Sequence, residues 1–336
     1  MWHHAGVDPL TVLEFIRDEK GVWTLPPERL EDLAREFPAV RFRSPRDRGE
    51  ADRALPEADV VFGWAVNPQN FASAARLRWI HVSAAGVGPL LFPALVESPV
   101  VLTNGRGLHG AAMAEHTLGV ILAFARKLHR ARDAQHERRW RQNELWLEPP
   151  GFVSLADSTL GLVGLGAVGC EVATRARALG MRVIAVRRHP AADPAPAHEQ
   201  WGTERLGDLL GRADWVVLVP PLTDATRGMI GRDQLARMRP GAVLVNLGRG
   251  GLVDEPALIE ALEHGTIAGA ALDVASREPL DPESPLWRLP QVILTPHISG
   301  LGARYWERAI EMFARNLRSF VAGRPLENVV DKRAGY

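Results

Sequence analysis

The chain of 336 residues is poor in several features that define other classes of protein. It has one cysteine, Cys170, so no internal disulfide can form and a secreted disulfide scaffold is excluded. Basic and acidic side chains balance at 40 each. With no excess of positive charge, attachment to nucleic acid or to an anionic membrane through bulk charge is not expected. No apolar run reaches the roughly 18 residues that cross a bilayer. The first residues (Met1, Trp2, His3, His4, then Asp8) lack the basic and apolar regions of a signal peptide. Together these features predict a cytoplasmic location. Histidines are scattered, with only His3 and His4 adjacent, and no metal site is expected. Lysine is rare too: Lys20, Lys127 and Lys332 are the only ones, so a single arginine carries little information. No fixed-period repeat and no low-complexity run is present.

What the chain does have is length for roughly two domains and an alternation of apolar runs with helical patterns, the signature of an α/β protein. Strands are predicted at 11–16, 40–42, 60–62, 80–82 and 100–102, with helices at 27–37 and near 71–77. An uninterrupted helix is predicted over 110–132, where Met113, Leu118, Ile121, Leu122, Ala125 and Leu128 recur at steps of three and four. Residues 130–150 are charged, carry Trp140 and Trp146 and end in Pro149-Pro150-Gly151; they read as an exposed arm or loop. A second α/β series follows, with strands at 159–163, 182–186, 215–219, 242–246, 268–272 and 292–295. Its helix at 166–179 follows the first of these strands, and a last helix runs over 304–320.

Between strand 159–163 and helix 166–179 stands Gly164-Leu165-Gly166-Ala167-Val168-Gly169, the pattern G-x-G-x-x-G. In that context the first glycine allows a tight turn, the second lets backbone approach a pyrophosphate, and the third lets helix pack closely on strand. The N–H groups that begin the helix then face the anion. Strand 182–186 runs into Arg187-Arg188-His189, close to the offset of about 20 residues where an acid would bind a ribose 2′-hydroxyl. No carboxylate appears there until Asp193, and the arginines suit a 2′-phosphate, so NADP is expected over NAD.

Three further segments lie at the carboxyl ends of predicted strands, where doubly wound sheets bind ligands. They are Asn246-Leu247-Gly248-Arg249-Gly250, Leu272-Asp273-Val274 with Glu278-Pro279, and Thr295-Pro296-His297. Arg249 offers a fork for a carboxylate, Glu278 an acid, and His297 an imidazole that exchanges protons near neutral pH. Each taken singly also suits a solvated loop; together, downstream of a dinucleotide loop, they point to catalysis.

These segments, with Gly251-Leu252-Val253-Asp254-Glu255, Ser284-Pro285-Leu286-Trp287, the run from Pro221 to Thr226 and Ala114-Glu115-His116, closely resemble the D-isomer-specific 2-hydroxyacid dehydrogenases of glyoxylate/hydroxypyruvate reductase type. The match is dense from about 101 to 300. The resemblance implies two Rossmann-like doubly wound parallel-sheet domains: a flavodoxin-like substrate domain from 1–103 and 300–336, and an inserted NAD(P)-binding domain at 104–299. The long helices near 110–132 and 304–320 would join them.

It further implies reduction of a small 2-oxo acid to the D-2-hydroxy acid. Arg249 would anchor the substrate carboxylate, with His297 as acid/base and Glu278 as its partner. Cofactor contacts are implied at Gly164, Gly166, Ala167, Val168, Gly169, Arg187, Arg188, Pro220, Pro221, Thr226, Leu247, Gly248, Asp273 and His297. Substrate contacts are implied at Ala85, Gly86, Val87, Arg249 and His297; the segment 83–88 resembles the family's substrate loop, although many relatives have an acid at the position of Gly88. Glu115 and His116 read as structural. Relatives are mostly dimers through the coenzyme domain, so a homodimer is expected, with the arm near 133–150 as a contact. The rival readings are a dinucleotide-sensing, co-repressor-like binding protein on the same scaffold and a phosphite-type dehydrogenase. Formate dehydrogenases pair Gln with His, so Glu278 disfavours that chemistry. The regulatory C-terminal extension of many phosphoglycerate dehydrogenases is not expected here.

Overall fold

In a computed structural model, residues 9–18, 21 and 23–336 are described. The stretch read for a leader, residues 1–8, lies outside them, as does Lys20. The chain forms two compact units, one from 1–108 with 303–336 and the other from 109–302. Among the described residues no helix is long and apolar enough to cross a membrane.

The first unit is built on five parallel strands: β1 (Thr11–Phe15), β2 (Arg41–Arg43), β3 (Val60–Gly63), β4 (Trp79–His81) and β5 (Val101–Thr103). Their order is β2-β1-β3-β4-β5, the flavodoxin-like order. The central strands are apolar almost throughout because both faces are covered. On one face lies the helix Tyr305–Val321, whose Ala309, Phe313 and Leu317 are buried at helical spacing. Phe313 stacks on Phe62 with centroids 4.1 Å apart and planes 4° apart, and on Trp79 at 5.3 Å.

The second unit holds seven parallel strands: β6 (Thr159–Val163), β7 (Arg182–Val186), β8 (Glu199–Trp201), β9 (Trp215–Leu218), β10 (Val243–Asn246), β11 (Gly269–Leu272) and β12 (Val292–Leu294). Their order is β12-β11-β10-β9-β6-β7-β8. Counted from β6 this is the Rossmann order 3-2-1-4-5-6 with one strand added beyond β11. Both sheets are parallel, so both are α/β layers with helices on their faces.

Three local expectations are corrected. The helix predicted near 71–77 is a single 3-10 turn, Phe71–Ser73. Asn67 and Asn70 accept each other's backbone N–H groups with their side chains, and such local bonds compete with a helix. The helix predicted over 110–132 breaks in two, Gly110–Ala125 and Leu128–His136, because Lys127 takes a left-handed conformation with φ of 52°. Its ammonium, nearly buried, donates to the carbonyls of Leu145 and Glu148, while Val153 N–H donates to the Ala125 carbonyl. The strand β8 has no counterpart in the sequence reading; Glu199, Gln200 and Trp201 carry no apolar run, and pairing with β7 defines it. The arm read at 130–150 carries part of the helix Leu128–His136 and the short helix Gln142–Leu147, with Trp140 91% and Trp146 73% exposed.

Candidate active site

The carboxyl ends of the seven strands bring together most of the residues singled out from the sequence. At the end of β6 Gly164 has φ of 99°, and a Cβ there would lie 2.9 Å from Pro220 N. A Cβ at Gly169 would lie 2.2 Å from the Gly164 carbonyl oxygen. A Cβ at Gly166 would meet nothing within 4 Å, so the turn is open on that side. Ala167 and Val168 begin the helix Ala167–Ala178. A glycine turn with an open middle position ahead of a helix start is the cradle that a pyrophosphate requires.

Arg187 and Arg188 follow β7 directly, and Arg188 Nε lies 3.1 Å from His189 Nε2. The positive charge of Arg187 reaches Cys170 in the first turns of the glycine-loop helix, where it opposes the upward push of burial on the thiol. Pro220 and Pro221 follow β9; the Thr226 hydroxyl donates to the Pro221 carbonyl at 2.7 Å and accepts from Thr223 N–H at 2.8 Å, which closes that turn. Leu247 is buried after β10, where its N–H donates to the Leu218 carbonyl.

Arg249 is exposed, with Nη1 donating to the Gly248 carbonyl at 2.7 Å. Its backbone is fixed from below. The buried Asn246 side chain donates to the Arg249 carbonyl at 3.0 Å and accepts from Gly248 N–H at 3.2 Å.

Glu278 and His297 meet directly: His297 Nδ1 lies 2.6 Å from Glu278 Oε2. The other carboxylate oxygen accepts from Ala275 N–H at 3.3 Å. With Nδ1 engaged, Nε2 is the imidazole nitrogen left for exchange with a ligand. His297 sits at φ of 54°, a left-handed conformation that a non-glycine residue holds only when its surroundings enforce it. The enforcing group is Asp273. Its carbonyl accepts His297 N–H at 2.9 Å, and its carboxylate accepts Ile298 N–H and Ser299 N–H, each at 2.9 Å, and the Thr295 hydroxyl at 2.6 Å. Asp273 is 2% exposed. The family resemblance implies a place beside the cofactor for it; in the structure its carboxylate braces the loop that carries His297. His116 Nε2 lies 3.2 Å from the Thr295 hydroxyl, which already donates to Asp273, so the imidazole donates. Burial pushes the His116 pKa down and Asp273 pushes it back up.

Sequence reasoning missed His109. It precedes the helix Gly110–Ala125, and its Nδ1 lies 3.1 Å from the Gly300 carbonyl oxygen. Burial first, and then the charges of Arg249 and His297, push its pKa down, while the Gly300 carbonyl opposes them. One side chain that feels both charges ties Arg249 and His297 to one locality. No periodicity or motif marks a histidine at that helix start.

In the first unit, the predicted substrate loop follows β4. Ala85 is exposed, Gly86 half-buried and Val87 buried.

The family model for the D-isomer specific 2-hydroxyacid dehydrogenase NAD binding domain matches residues 118–299. Glyoxylate reductase of Aeropyrum pernix is 37% identical over 270 residues, 78% of each chain. The chain belongs to the D-isomer specific 2-hydroxyacid dehydrogenases. Another member of the family, D-3-phosphoglycerate dehydrogenase of Archaeoglobus fulgidus, is 33% identical over 297 residues, 87% of this chain. The match takes in 55% of that relative, so this dehydrogenase chain spans about half the length of the phosphoglycerate dehydrogenases it resembles. Among solved structures, the NADPH-dependent glyoxylate/hydroxypyruvate reductase of Sinorhizobium meliloti, in complex with NADP and sulfate, superposes with a TM-score of 0.81. It is 29% identical, with 97% of this chain and all of that one covered. Membership makes the second unit a nicotinamide-dinucleotide domain, and the glycine cradle fits that group.

Proposed function

We propose that this dehydrogenase reduces a small 2-oxo acid to its D-2-hydroxy acid with NADPH. The observation that carries the reading is the 2.6 Å contact of His297 with Glu278 on the same sheet edge as Arg249 and the glycine cradle. With its pyrophosphate held at that cradle, the dinucleotide would supply the hydride that the carbonyl carbon accepts. Arg249 pairs its planar fork with the substrate carboxylate and draws the adjacent carbonyl into orientation. His297 gives the proton on Nε2 to the carbonyl oxygen as negative charge builds there, and takes it back in the reverse reaction. Glu278, bonded to Nδ1, holds the ring's orientation through both directions. Arg249 thus meets the carboxylate charge and His297 the developing oxyanion.

Arg187 and Arg188, with no carboxylate at the end of β7, support NADPH over NADH. The NADP-bound reductase of Sinorhizobium meliloti supports it too. We further propose a homodimer that buries the arm: Trp140, Trp146 and Leu147 stand exposed on it beside a cavity of about 900 Å³ at the amino ends of the strands, walled by Phe152, Trp215 and Pro240. Trp140→Ala with Trp146→Ala gives a monomer by sedimentation if the arm is the interface, and an unchanged mass if it is not.

The test of the reaction is steady-state turnover of glyoxylate, hydroxypyruvate, pyruvate and a bulkier aromatic 2-oxo acid with NADPH and with NADH. Turnover of at least one acid, faster at low NADPH than at low NADH, is expected. No turnover with any of them, alongside tight dinucleotide binding, favours a nucleotide-sensing protein instead.

A further inference from the structure

The turn that carries His297 is held from two directions, and Asp273 accounts for one of them. Asp273 takes up the N–H groups of His297, Ile298 and Ser299. The turn ends at Gly300, whose carbonyl oxygen lies 3.1 Å from His109 Nδ1. A carbonyl can only accept, so Nδ1 carries the proton and donates it. Steric fit reinforces the bond. A Cβ at Gly300 would lie 3.1 Å from His109 Nδ1 and 3.4 Å from its Cγ, and a Cβ at Gly302 would lie 3.2 Å from the Cβ of Ala112. The backbone from Gly300 to Gly302 therefore runs directly against His109 and the first turn of the helix Gly110–Ala125, an approach that suits residues without a side chain.

His109 is a firm point of attachment. Its carbonyl accepts Met113 N–H at 2.9 Å, which continues the helix back to it. That helix is anchored in the core of the second unit through Ala114, Ile121 and Ala125, all buried. His109 is also the first residue of this unit, and Gly300 stands two residues before its last, Gly302. One bond thus pins the two ends of the unit together, three residues after His297. Asp273, at the end of β11, and His109, at the start of a helix, grip the same turn from separate elements.

We propose that His109 is a positioning residue of this dehydrogenase: its Nδ1–H bond to the Gly300 carbonyl holds the turn from which His297 presents its imidazole. The inference rests on the reading of His297 as the acid/base of a 2-oxo acid reductase. The bond acts through the backbone of the turn and calls for no contact of His109 with the acid or the dinucleotide. Its loss therefore falls on the proton-transfer step and spares the binding of either.

The experiment compares wild type with His109→Asn, His109→Gln and His109→Leu, using glyoxylate and pyruvate as separate substrates, with NADPH binding and melting temperature measured alongside. The amide nitrogen of Asn stands where Nδ1 stands, that of Gln stands where Nε2 stands, and Leu has no donor. His109→Asn is expected to keep kcat within about 2-fold of wild type, because it restores the donor to Gly300. His109→Gln and His109→Leu are expected to lower kcat about 10-fold, short of the roughly 10²-fold of a full misplacement because Asp273 still holds its side of the turn. KM for both acids and NADPH affinity are expected to stay within about 2-fold in all three. A kcat that ignores the three substitutions overturns the proposal, even where the melting temperature falls. An equal loss in all three overturns it too, as does rescue by Gln where Asn fails, which makes Nε2 the working atom. A loss seen only as a raised KM makes His109 a substrate contact and also overturns it. A wild-type enzyme inert toward every 2-oxo acid removes the functional reading itself, a different result from an active enzyme indifferent to His109.

Discussion

Asp273 and His297 are joined through the backbone. The N–H of His297 donates to the carbonyl of Asp273 at 2.9 Å, while the Asp273 carboxylate holds the next two N–H groups, those of Ile298 and Ser299. The acid shapes the loop, and the loop aims the imidazole.

Asp273→Ala leaves those two N–H groups and the Thr295 hydroxyl without their acceptor, the Ser299 N–H in a buried place and the other two in part-buried ones. Each unsatisfied group costs about 1–3 kcal/mol, enough to release His297 from its left-handed conformation. Turnover is expected to fall by roughly 10²-fold, because a misplacement of about 1 Å has that effect. Dinucleotide affinity, measured by fluorescence titration, is expected to change far less. Full activity in this variant would show that His297 needs no such brace.

Replacing both arginines after β7 tests the cofactor reading. Arg187→Ala with Arg188→Ala is expected to raise KM for NADPH by about 10-fold to 100-fold, as two charge-assisted contacts to a phosphate are lost. KM for NADH is expected to stay within about 2-fold, because the 2′-phosphate is absent from it. Parallel losses with both cofactors would place the two arginines elsewhere in the binding event.

Acid stability follows from His81. It is fully buried among Phe62, Trp79 and Phe313, its Nδ1 bonded to the Thr103 hydroxyl and its Nε2 without a partner, and burial lowers its pKa to about 3. The folded protein therefore keeps this ring neutral while the unfolded chain takes up a proton below about pH 6.5. Stability falls as pH drops from that value towards 3, by an amount of the order of 4 kcal/mol from this one group. The lowered pKa values of His109, His116 and His129 act in the same direction. His81→Phe removes the largest of these contributions. Urea midpoints of this variant are expected to decline less between about pH 7 and about pH 4 than those of the wild type. Equal slopes would mean that His81 is not neutral when folded.

Much of this was legible in the chain. The strands β6 and β7 fall on apolar runs, because a strand covered on both faces holds few polar residues inside it. Gly164 to Gly169 declare the turn, since no other residue fits a φ of 99° beside Pro220. Arg249, Glu278 and His297 stand out as chemistry-bearing residues after strands. The bracing bonds of Asp273 were hidden because its partners Ile298 and Ser299 lie 25 and 26 residues further on. The break at Lys127 was hidden too: its apolar spacing is helical on both sides, and the bonds that turn it come from Leu145, Glu148 and Val153, about twenty residues further on. His109 bonds Gly300, which is remote in sequence, and no local pattern records such a contact.

The most direct measurement is NADPH oxidation by the wild type, His297→Ala and Arg249→Ala with an accepted 2-oxo acid, with NADPH binding titrated for each. Loss of the positioned proton donor is expected to lower turnover by about 10²–10⁴-fold. Loss of the guanidinium is expected to lower kcat/KM by at least about 10²-fold, with NADPH affinity near normal in both variants. Turnover close to that of the wild type in both variants would contradict the assignment of these side chains to proton transfer and carboxylate binding.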